Sequence, residues 1–316
     1  MTKRGLFLAA VRGEPLERPP VTAWVHFLSD HLPGGETARL HQRFLEAYDW
    51  DVLKVMNDYR YPVPEGVQTY EDPESIRAFR PLGLDEPAFA EQLKCLTEAR
   101  KSLGSDIALI DTMFDPYQQM LRNVGFSEAP NLHKHRAHAL RALEAVADTL
   151  VRYIKAVKAQ GVDALFLSIN GAIREGFARG STREVFEAFQ RPFDLELLRA
   201  AEGMVRILHV HGVGLDPARV LDYPCEVISL SDRLSGNPSL VELRKLTDRC
   251  LMGGLDETRI QERTLPSLAR EVDDALAQAG PRNFILAPGC TIPSFTPKRT
   301  LRFLRDYTRG RRDTLL

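Results

Sequence analysis

Short apolar segments, each followed by at least one helical pattern, recur eight times along the 316 residues of the chain. They occupy residues 21–25, 51–56, 107–110, 164–168, 205–208, 227–230, 250–252 and 284–287. Strands that alternate with helices favour a parallel sheet, and eight such units predict a closed (β/α)8 barrel, the TIM barrel of the α/β class. No linker rich in Pro, Gly or Ser divides the sequence, so we expect a single domain over residues 1–316.

A doubly wound open sheet is the alternative architecture, because it is built from the same alternation of strands and helices. Such sheets often carry a nucleotide-binding fingerprint after a strand. No apolar segment here is followed by a G-x-G-x-x-G or Walker pattern. The barrel is therefore the architecture that the sequence favours.

Charge balance and cysteine usage narrow the class of protein. With 42 basic and 43 acidic residues the net charge is −1, so the sequence has no electrostatic footprint for nucleic acid or for an anionic membrane surface. The apolar run near the N-terminus is interrupted at Arg12, too early for a signal peptide or a membrane span. Four cysteines do not make a disulfide framework in a chain of this length. We expect a cytoplasmic protein.

Two histidines and one cysteine form a candidate metal site. His209 and His211 lie at the end of one apolar segment, and residues two apart in a strand point to the same face. Cys290 lies just past the last apolar segment and must reach the histidines across the mouth of a barrel. Two imidazoles and one thiol suit a zinc ion that keeps a fourth position open for substrate. In the alternative interpretation, the histidines are hydrogen-bonded polar residues and Cys290 is a small buried filler.

Polar side chains follow nearly every predicted strand, and in a barrel these ends converge on one mouth. For catalysis we single out Asp58 as a general base or substrate anchor, with His26 and Asp232. The alternatives are a turn or cap role for Asp58 and a surface pair with Arg233 for Asp232. The candidate substrate-binding residues are Asn57, Tyr59, Asp111, Tyr117 and Asn170.

Four stretches together resemble a known family. They are Leu286-Ala-Pro-Gly-Cys290-Thr-Ile-Pro293, Leu251-Met-Gly-Gly-Leu-Asp256, Leu208-His-Val-His-Gly212, and residues 51–58 with the sequence DVLKVMND. On these residues the chain resembles the uroporphyrinogen decarboxylase superfamily over most of its length. The resemblance implies a (β/α)8 barrel and places the family's substrate-binding aspartate at Asp58.

The superfamily contains decarboxylases and methyltransferases, and the sequence departs from the decarboxylases. They hold substrate carboxylates with an arginine-rich segment near the N-terminus, whereas residues 22–33 contain no arginine. They also carry histidine after the late glycine, where this chain has Gly289-Cys290. A tetrapyrrole with many carboxylates needs several cationic partners, so we expect weak or no activity on uroporphyrinogen.

The other branch resembles this chain more closely at the metal motif. Its members are zinc methyltransferases that work with corrinoid proteins and carry His-x-Cys followed by a late Gly-Cys. His209 and Cys290 match that pattern, and His211 replaces the middle cysteine. The resemblance implies a zinc-dependent, methyltransferase-like enzyme that acts on a small molecule, with a corrinoid on a partner protein as methyl donor or acceptor. The alternatives are a decarboxylase of tetrapyrrole biosynthesis and a non-catalytic corrinoid- or tetrapyrrole-binding protein.

Overall fold

Parallel strands form the centre of the protein. The computed structural model describes residues 1–177 and 182–310, and within them seven strands pair in the order of the sequence, all in parallel. The strands are β1 (Val52–Val55), β2 (Ala108–Phe114), β3 (Ala164–Ile169), β4 (Val205–Val210), β5 (Val227–Leu230), β6 (Cys250–Leu255) and β7 (Phe284–Pro288). They form a single-domain α/β fold around one curled sheet.

Helices connect the strands and pack outside the sheet. They are α1 (Lys3–Val11), α2 (Gly34–Tyr48), α3 (Pro73–Arg77), α4 (Pro87–Leu103), α5 (Pro116–Val124), α6 (Ala129–Lys134), α7 (Arg136–Ala159), α8 (Arg183–Phe189), α9 (Arg191–Ala200), α10 (Leu240–Arg244), α11 (Leu265–Ala279) and α12 (Lys298–Thr308). Within the described ranges, no helix combines the length and the apolar character that crossing a membrane requires.

The α/β class and the parallel strands are confirmed, but the prediction of eight strands in a closed barrel was wrong, because the described residues form a curled open sheet of seven strands. Residues 21–25 form only an isolated parallel bridge, between Val21 and Leu286 of β7. Pro20 has no N–H to donate to a ladder. The carbonyl of Trp24 accepts instead from the backbone N–H of Ile292, beyond the end of β7, at 3.1 Å. This extended segment therefore runs between β7 and β1 without forming a regular strand.

Successive side chains along each strand point to opposite faces of the sheet, which gives the protein two apolar layers. In β4, Ile207 packs in the inner layer with Val52, Met56 and Phe166, whereas Leu208 packs in the outer layer beneath the helices. Phe7 of α1 also belongs to the inner layer, so α1 covers the amino-terminal end of the curl. The opposite end carries the polar side chains, as parallel α/β sheets generally arrange their functional groups.

β2 is longer than expected, which changes the position of one candidate residue. The apolar signal ended at residue 110, but the strand continues to Phe114. Asp111 therefore lies inside the strand, where the inner face belongs to Ile110 and Thr112. Its side chain is directed outward, toward α4 and α7.

Candidate metal centre

His209, His211 and Cys290 meet at the carboxyl-terminal edge of the sheet. One candidate ligand atom from each residue lies within 4.8 Å of the other two. The Cys290 Sγ atom is 3.7 Å from Nδ1 of His211. Strand β7 is three strands from β4 in the sheet order, so the curl of the sheet brings the cysteine across to the histidines.

The backbone next to Cys290 is tightly packed. A Cβ atom on Gly289 would lie 2.4 Å from Cα of Ser231 and 2.8 Å from the carboxylate of Glu257. Real Cβ atoms do not approach other atoms so closely, so only glycine fits before the cysteine. Gly289 also donates its N–H to the carbonyl of Leu255 at 3.1 Å, which fixes the path of the chain into the cluster.

His209 is held by its neighbours on both adjoining strands. Its Nδ1 lies 3.2 Å from Oγ of Ser229, the residue opposite it on β5. Its ring stacks on Phe166 with 4.9 Å between the ring centres. The other ring nitrogen, Nε2, is buried and finds no hydrogen-bond partner among the described residues. An orphaned imidazole nitrogen beside a second imidazole and a thiol is the donor set of a zinc site.

The thiol of Cys290 is also suited to metal binding. Burial raises the pKa of the Cys290 thiol, and the neighbouring His209 imidazole lowers it. The effect of His209 outweighs burial, so the net pKa lies below its ordinary value. The thiolate is the form that coordinates a metal. Burial lowers the pKa of His209, which favours the neutral imidazole that a metal ligand must be.

A cavity of about 260 Å³ opens beside the three residues. Its walls come from the inner face of the sheet and from α5. The lining side chains are Trp24, His26, Lys54, Met56, Thr112, Phe114, Gln118, Arg122, Phe126, Phe166, Ser168, Asn170, His209, His211, Cys290 and Thr291. The volume lies below the range of about 300–1,000 Å³ that accommodates drug-sized ligands. The cavity therefore suits a small substrate.

His26 and Asp58 are brought together beside this cavity. Nδ1 of His26 lies 2.6 Å from the carboxylate of Asp58, which also accepts from the backbone N–H of Ser29 at 3.2 Å. Burial raises the pKa of Asp58, but the hydrogen bond and charge of His26 outweigh it, and the net pKa is below the ordinary value. His26 lines the cavity and Asp58 stands behind it, so the carboxylate orients the imidazole.

Asn170 is the one candidate substrate-binding residue that lines this cavity, and its Oδ1 is buried without a partner in the described part of the chain. Asn57 also has a buried Oδ1 without a described partner, but it does not line the cavity. Tyr59 lines a separate surface cavity and donates to the carbonyl of Leu32 at 2.7 Å. The hydroxyl of Tyr117 lies 2.8 Å from Nε2 of His133, behind α5.

Two acidic candidates, Asp111 and Asp232, lie outside the cavity and accept hydrogen bonds from other residues of the protein. Asp111 accepts from Gln92 at 2.8 Å and from Tyr153 at 3.0 Å, between the sheet and the helices. Asp232 accepts from the backbone N–H of Gly254 at 2.7 Å. Burial raises the pKa of Asp111 to about 7 and that of Asp232 to about 6. Neither position supports a contact with a ligand in the cavity.

Lys54 is a cavity residue that sequence reasoning missed. It is buried on the inner face of β1, with Nζ 2.8 Å from Oγ1 of Thr112 and 2.9 Å from Sδ of Met56. The ammonium also lies 4.0 Å from the ring centre of Phe166 and 4.6 Å from that of Trp24. Burial lowers its pKa to about 7. The available signal was a single charged residue within the apolar run 52–56.

Glu257 was missed as well. It follows β6, and its carboxylate accepts a hydrogen bond from Ser231. Its second oxygen, Oε2, is buried and has no partner among the residues described. Burial raises the pKa of this carboxyl group. Glu257 packs against Gly289 and so helps to set the position of Cys290.

Comparisons with known proteins agree with the motifs in the sequence. The family model described as uroporphyrinogen decarboxylase (URO-D) matches residues 53–311. No curated protein matches the sequence.

Solved structures share the fold at low sequence identity. A methyltransferase from Methanosarcina mazei is 17% identical, with a TM-score of 0.79 over 98% of this chain and 99% of that chain. A B12-independent methionine synthase from Shewanella sp. W3-18-1, in complex with selenomethionine, is 14% identical, with a TM-score of 0.58 over 95% of each chain. A putative B12-independent methionine synthase from Listeria monocytogenes is 13% identical, with a TM-score of 0.60 over 94% of this chain and 98% of that chain.

Proposed function

Because the chain belongs to the uroporphyrinogen decarboxylase (URO-D) family, we propose that it is a zinc-dependent, methyltransferase-like member of that family. His209, His211 and Cys290 hold the ion. The observation that carries the proposal is their convergence from distant parts of the chain, with Nε2 of His209 left unpartnered. The fold shared with a methyltransferase and with methionine synthases supports this choice within the family.

His209, His211 and Cys290 would hold the zinc ion, which would supply the Lewis acidity that lowers the pKa of a thiol substrate. The protein's own residues orient the candidate ligands, exclude water from the cavity and accept the proton of the thiol. Ser229 fixes the ring of His209, Phe166 and Trp24 exclude water, and His26 takes the thiol proton. The sulfur then attacks the methyl carbon, and the donor keeps the electron pair of the bond that breaks.

We propose that the methyl donor is a corrinoid carried by a partner protein. Large apolar side chains are exposed on the connections at the carboxyl-terminal edge of the sheet, where such a partner must approach. They are Leu28, Phe126, Phe177, Val213 and Phe295. Exposed apolar groups gathered around a cavity are typical of a protein contact surface. Leu28 has φ near 53°, an unfavourable conformation for leucine, and lies beside the Ser29 and His26 that bind Asp58.

The dimensions and charges of the cavity argue against uroporphyrinogen as substrate. A tetrapyrrole exceeds a drug-sized ligand, whereas this cavity measures about 260 Å³. The segment 22–33 adds no arginine to bind its carboxylates. Asp58, the aspartate shared with the decarboxylases, is bound to His26 and Ser29 and does not line the cavity.

A methyl-transfer assay tests the proposal. Zinc-loaded protein is incubated with methylcobalamin and a panel of small thiols, and S-methylated products are measured by mass spectrometry. We expect product with the wild type and none above background with His209→Ala. The control is His138→Ala, a half-buried histidine on α7 that does not line the cavity, which should keep wild-type activity. Zinc-loaded wild type that methylates no thiol in the panel, with methylcobalamin intact, would contradict the proposal.

A further inference from the structure

Two cations without carboxylate partners line the cavity. They are Lys54, on β1, and Arg122, in the last turn of α5. No carboxylate oxygen in residues 1–177 or 182–310 comes within 4.0 Å of a side-chain nitrogen of either residue. Other arginines of this protein pair readily, for example Arg263 with Asp256 and Glu271. The two cavity cations therefore differ from the usual arrangement in this chain.

Arg122 is positively charged, and one nitrogen of its guanidinium group has no hydrogen-bond partner among the described residues. Its guanidinium carbon lies 3.7 Å from the ring centre of Phe114, a cation–π contact. Its Nη1 is buried and makes no hydrogen bond to any described residue. Arginine does not lose its proton in proteins, so this donor stays charged and unsatisfied until a ligand arrives. An anionic oxygen is the group that a buried guanidinium N–H binds most strongly.

Lys54 supplies a second donor deeper in the same cavity. Among the described residues its Nζ contacts the hydroxyl of Thr112, the sulfur of Met56 and two aromatic rings, and the charges of Cys290, Asp111 and Asp58 act on it without a hydrogen bond. A buried ammonium that no anion contacts directly destabilises the fold, and an apolar side chain of similar length would pack there at lower cost. A bound anion in the cavity would neutralise the Lys54 ammonium and so explain why a lysine occupies this wall.

We infer that the substrate of this site is a small thiol that carries a carboxylate, bound by Arg122 and Lys54 while its sulfur lies at the His209, His211 and Cys290 cluster. The inference rests on the proposed thiol chemistry and names its substrate class. Both ends of the ligand fall within one cavity of about 260 Å³, so they belong to one small molecule. A neutral thiol would leave Arg122 without a counter-charge, which sets the preference for an anionic substrate.

Calorimetric titration of the zinc-loaded protein tests the inference with three thiols of similar size. 3-Mercaptopropionate carries a carboxylate, 2-mercaptoethanol is neutral and cysteamine is cationic. We expect the wild type to prefer 3-mercaptopropionate by about 10- to 100-fold, the contribution of hydrogen bonds to a charged group. Arg122→Gln and Lys54→Met should each remove most of that preference. Equal binding of the three thiols by folded, zinc-loaded wild type would overturn the inference.

Arg136→Gln is the matched control. Arg136 also lies over a phenylalanine ring, 5.3 Å from the centre of Phe189, but it is exposed and does not line the cavity. This variant should keep the wild-type preference. A loss of preference equal to that of Arg122→Gln would show that the effect is a general effect of removing positive charge, and it would overturn the assignment to the cavity.

Propionate, which has no thiol, separates this inference from the proposed function. Its binding to metal-free protein is measured by NMR titration. Binding that Arg122→Gln weakens and Arg136→Gln does not would support the anion site even if the protein binds no zinc. Zinc binding and methyl transfer without discrimination among the three thiols, and without propionate binding, would overturn the anion site and leave the proposed function standing.

Discussion

Cys290 and His211 are 79 residues apart in the chain, yet the Sγ atom of one lies 3.7 Å from Nδ1 of the other. The curl of the seven-stranded sheet accounts for this proximity, because it faces the end of β7 toward the end of β4. The two side chains follow the ends of β4 and β7, and Gly289 allows close packing before Cys290. A site assembled in this way depends on few residues, which makes its parts separately testable.

Lys54→Met should stabilise the metal-free protein by about 2–5 kcal/mol near pH 6, the order of magnitude that a strongly depressed pKa implies. Burial lowers the pKa of Lys54 from 10.5 to about 7. In that interval the unfolded chain binds a proton that the folded chain does not, so wild-type stability rises with pH. The advantage of the variant should therefore shrink as pH rises from 7 toward 10.5. Urea denaturation between pH 6 and 9.5 measures it.

Lys101→Met is the control for this stability effect. Lys101 is exposed on α4 and pairs with Glu98 at 2.9 Å. Its substitution should change the free energy of unfolding by less than about 0.5 kcal/mol. If Lys54→Met were destabilising at pH 6, Lys54 would be a structural residue, and the interpretation of its burial as a cost would be wrong.

Asp58→Asn should lower the free energy of unfolding by about 1 kcal/mol at pH 7. The pKa of Asp58 is below 3.8 in the folded protein, because His26 outweighs the effect of burial. A carboxyl group whose pKa is depressed by folding stabilises the folded protein at pH values above its unfolded pKa. This contribution is lost as pH falls through the folded pKa. The difference between wild type and variant should therefore shrink as pH falls below about 4 and disappear below the folded pKa. Asp30 is exposed in the segment that carries His26 and Ser29, and Asp30→Asn is the control.

Gly289→Ala should destabilise the protein by about 1–3 kcal/mol, the usual cost of overpacking. The new Cβ would lie 2.4 Å from backbone Cα of Ser231, so the chain before Cys290 must move. Zinc affinity should fall with it. Gly35→Ala in α2 is the counterpart, since nothing lies within 4 Å of its added Cβ. It should stabilise by about 0.4–1 kcal/mol, and thermal unfolding of the two variants gives the comparison.

Seven strands could be predicted because each is a short apolar run that ends in polar or small residues. The eighth failed because a strand also needs backbone donors and partners. Pro20 has no donor, and Trp24 bonds to the loop beyond β7. The end of β2 was misplaced because Asp111 and Thr112 are polar yet buried. Gln92 and Tyr153, which satisfy Asp111, come from distant helices that a single sequence does not place.

The metal cluster could be predicted from local spacing for the histidines and from the family resemblance for Cys290. Lys54 and Arg122 could not, because their significance lies in the carboxylates that are missing around them. A charged residue in an apolar run and an arginine in a polar helix are both ordinary in sequence. Only the packing of β1 against β2 and β3, and of α5 over Phe114, shows these cations facing one cavity.

Zinc content is the most direct test of the account. Wild type, Cys290→Ser and Cys225→Ser are incubated with zinc, dialysed and analysed by elemental mass spectrometry. We expect about one zinc per wild-type chain, affinity lowered by at least about 10-fold in Cys290→Ser, and no change in Cys225→Ser, whose buried thiol lies outside the cluster. Folded wild type that stays free of zinc after incubation would contradict the metal centre on which the proposed chemistry depends.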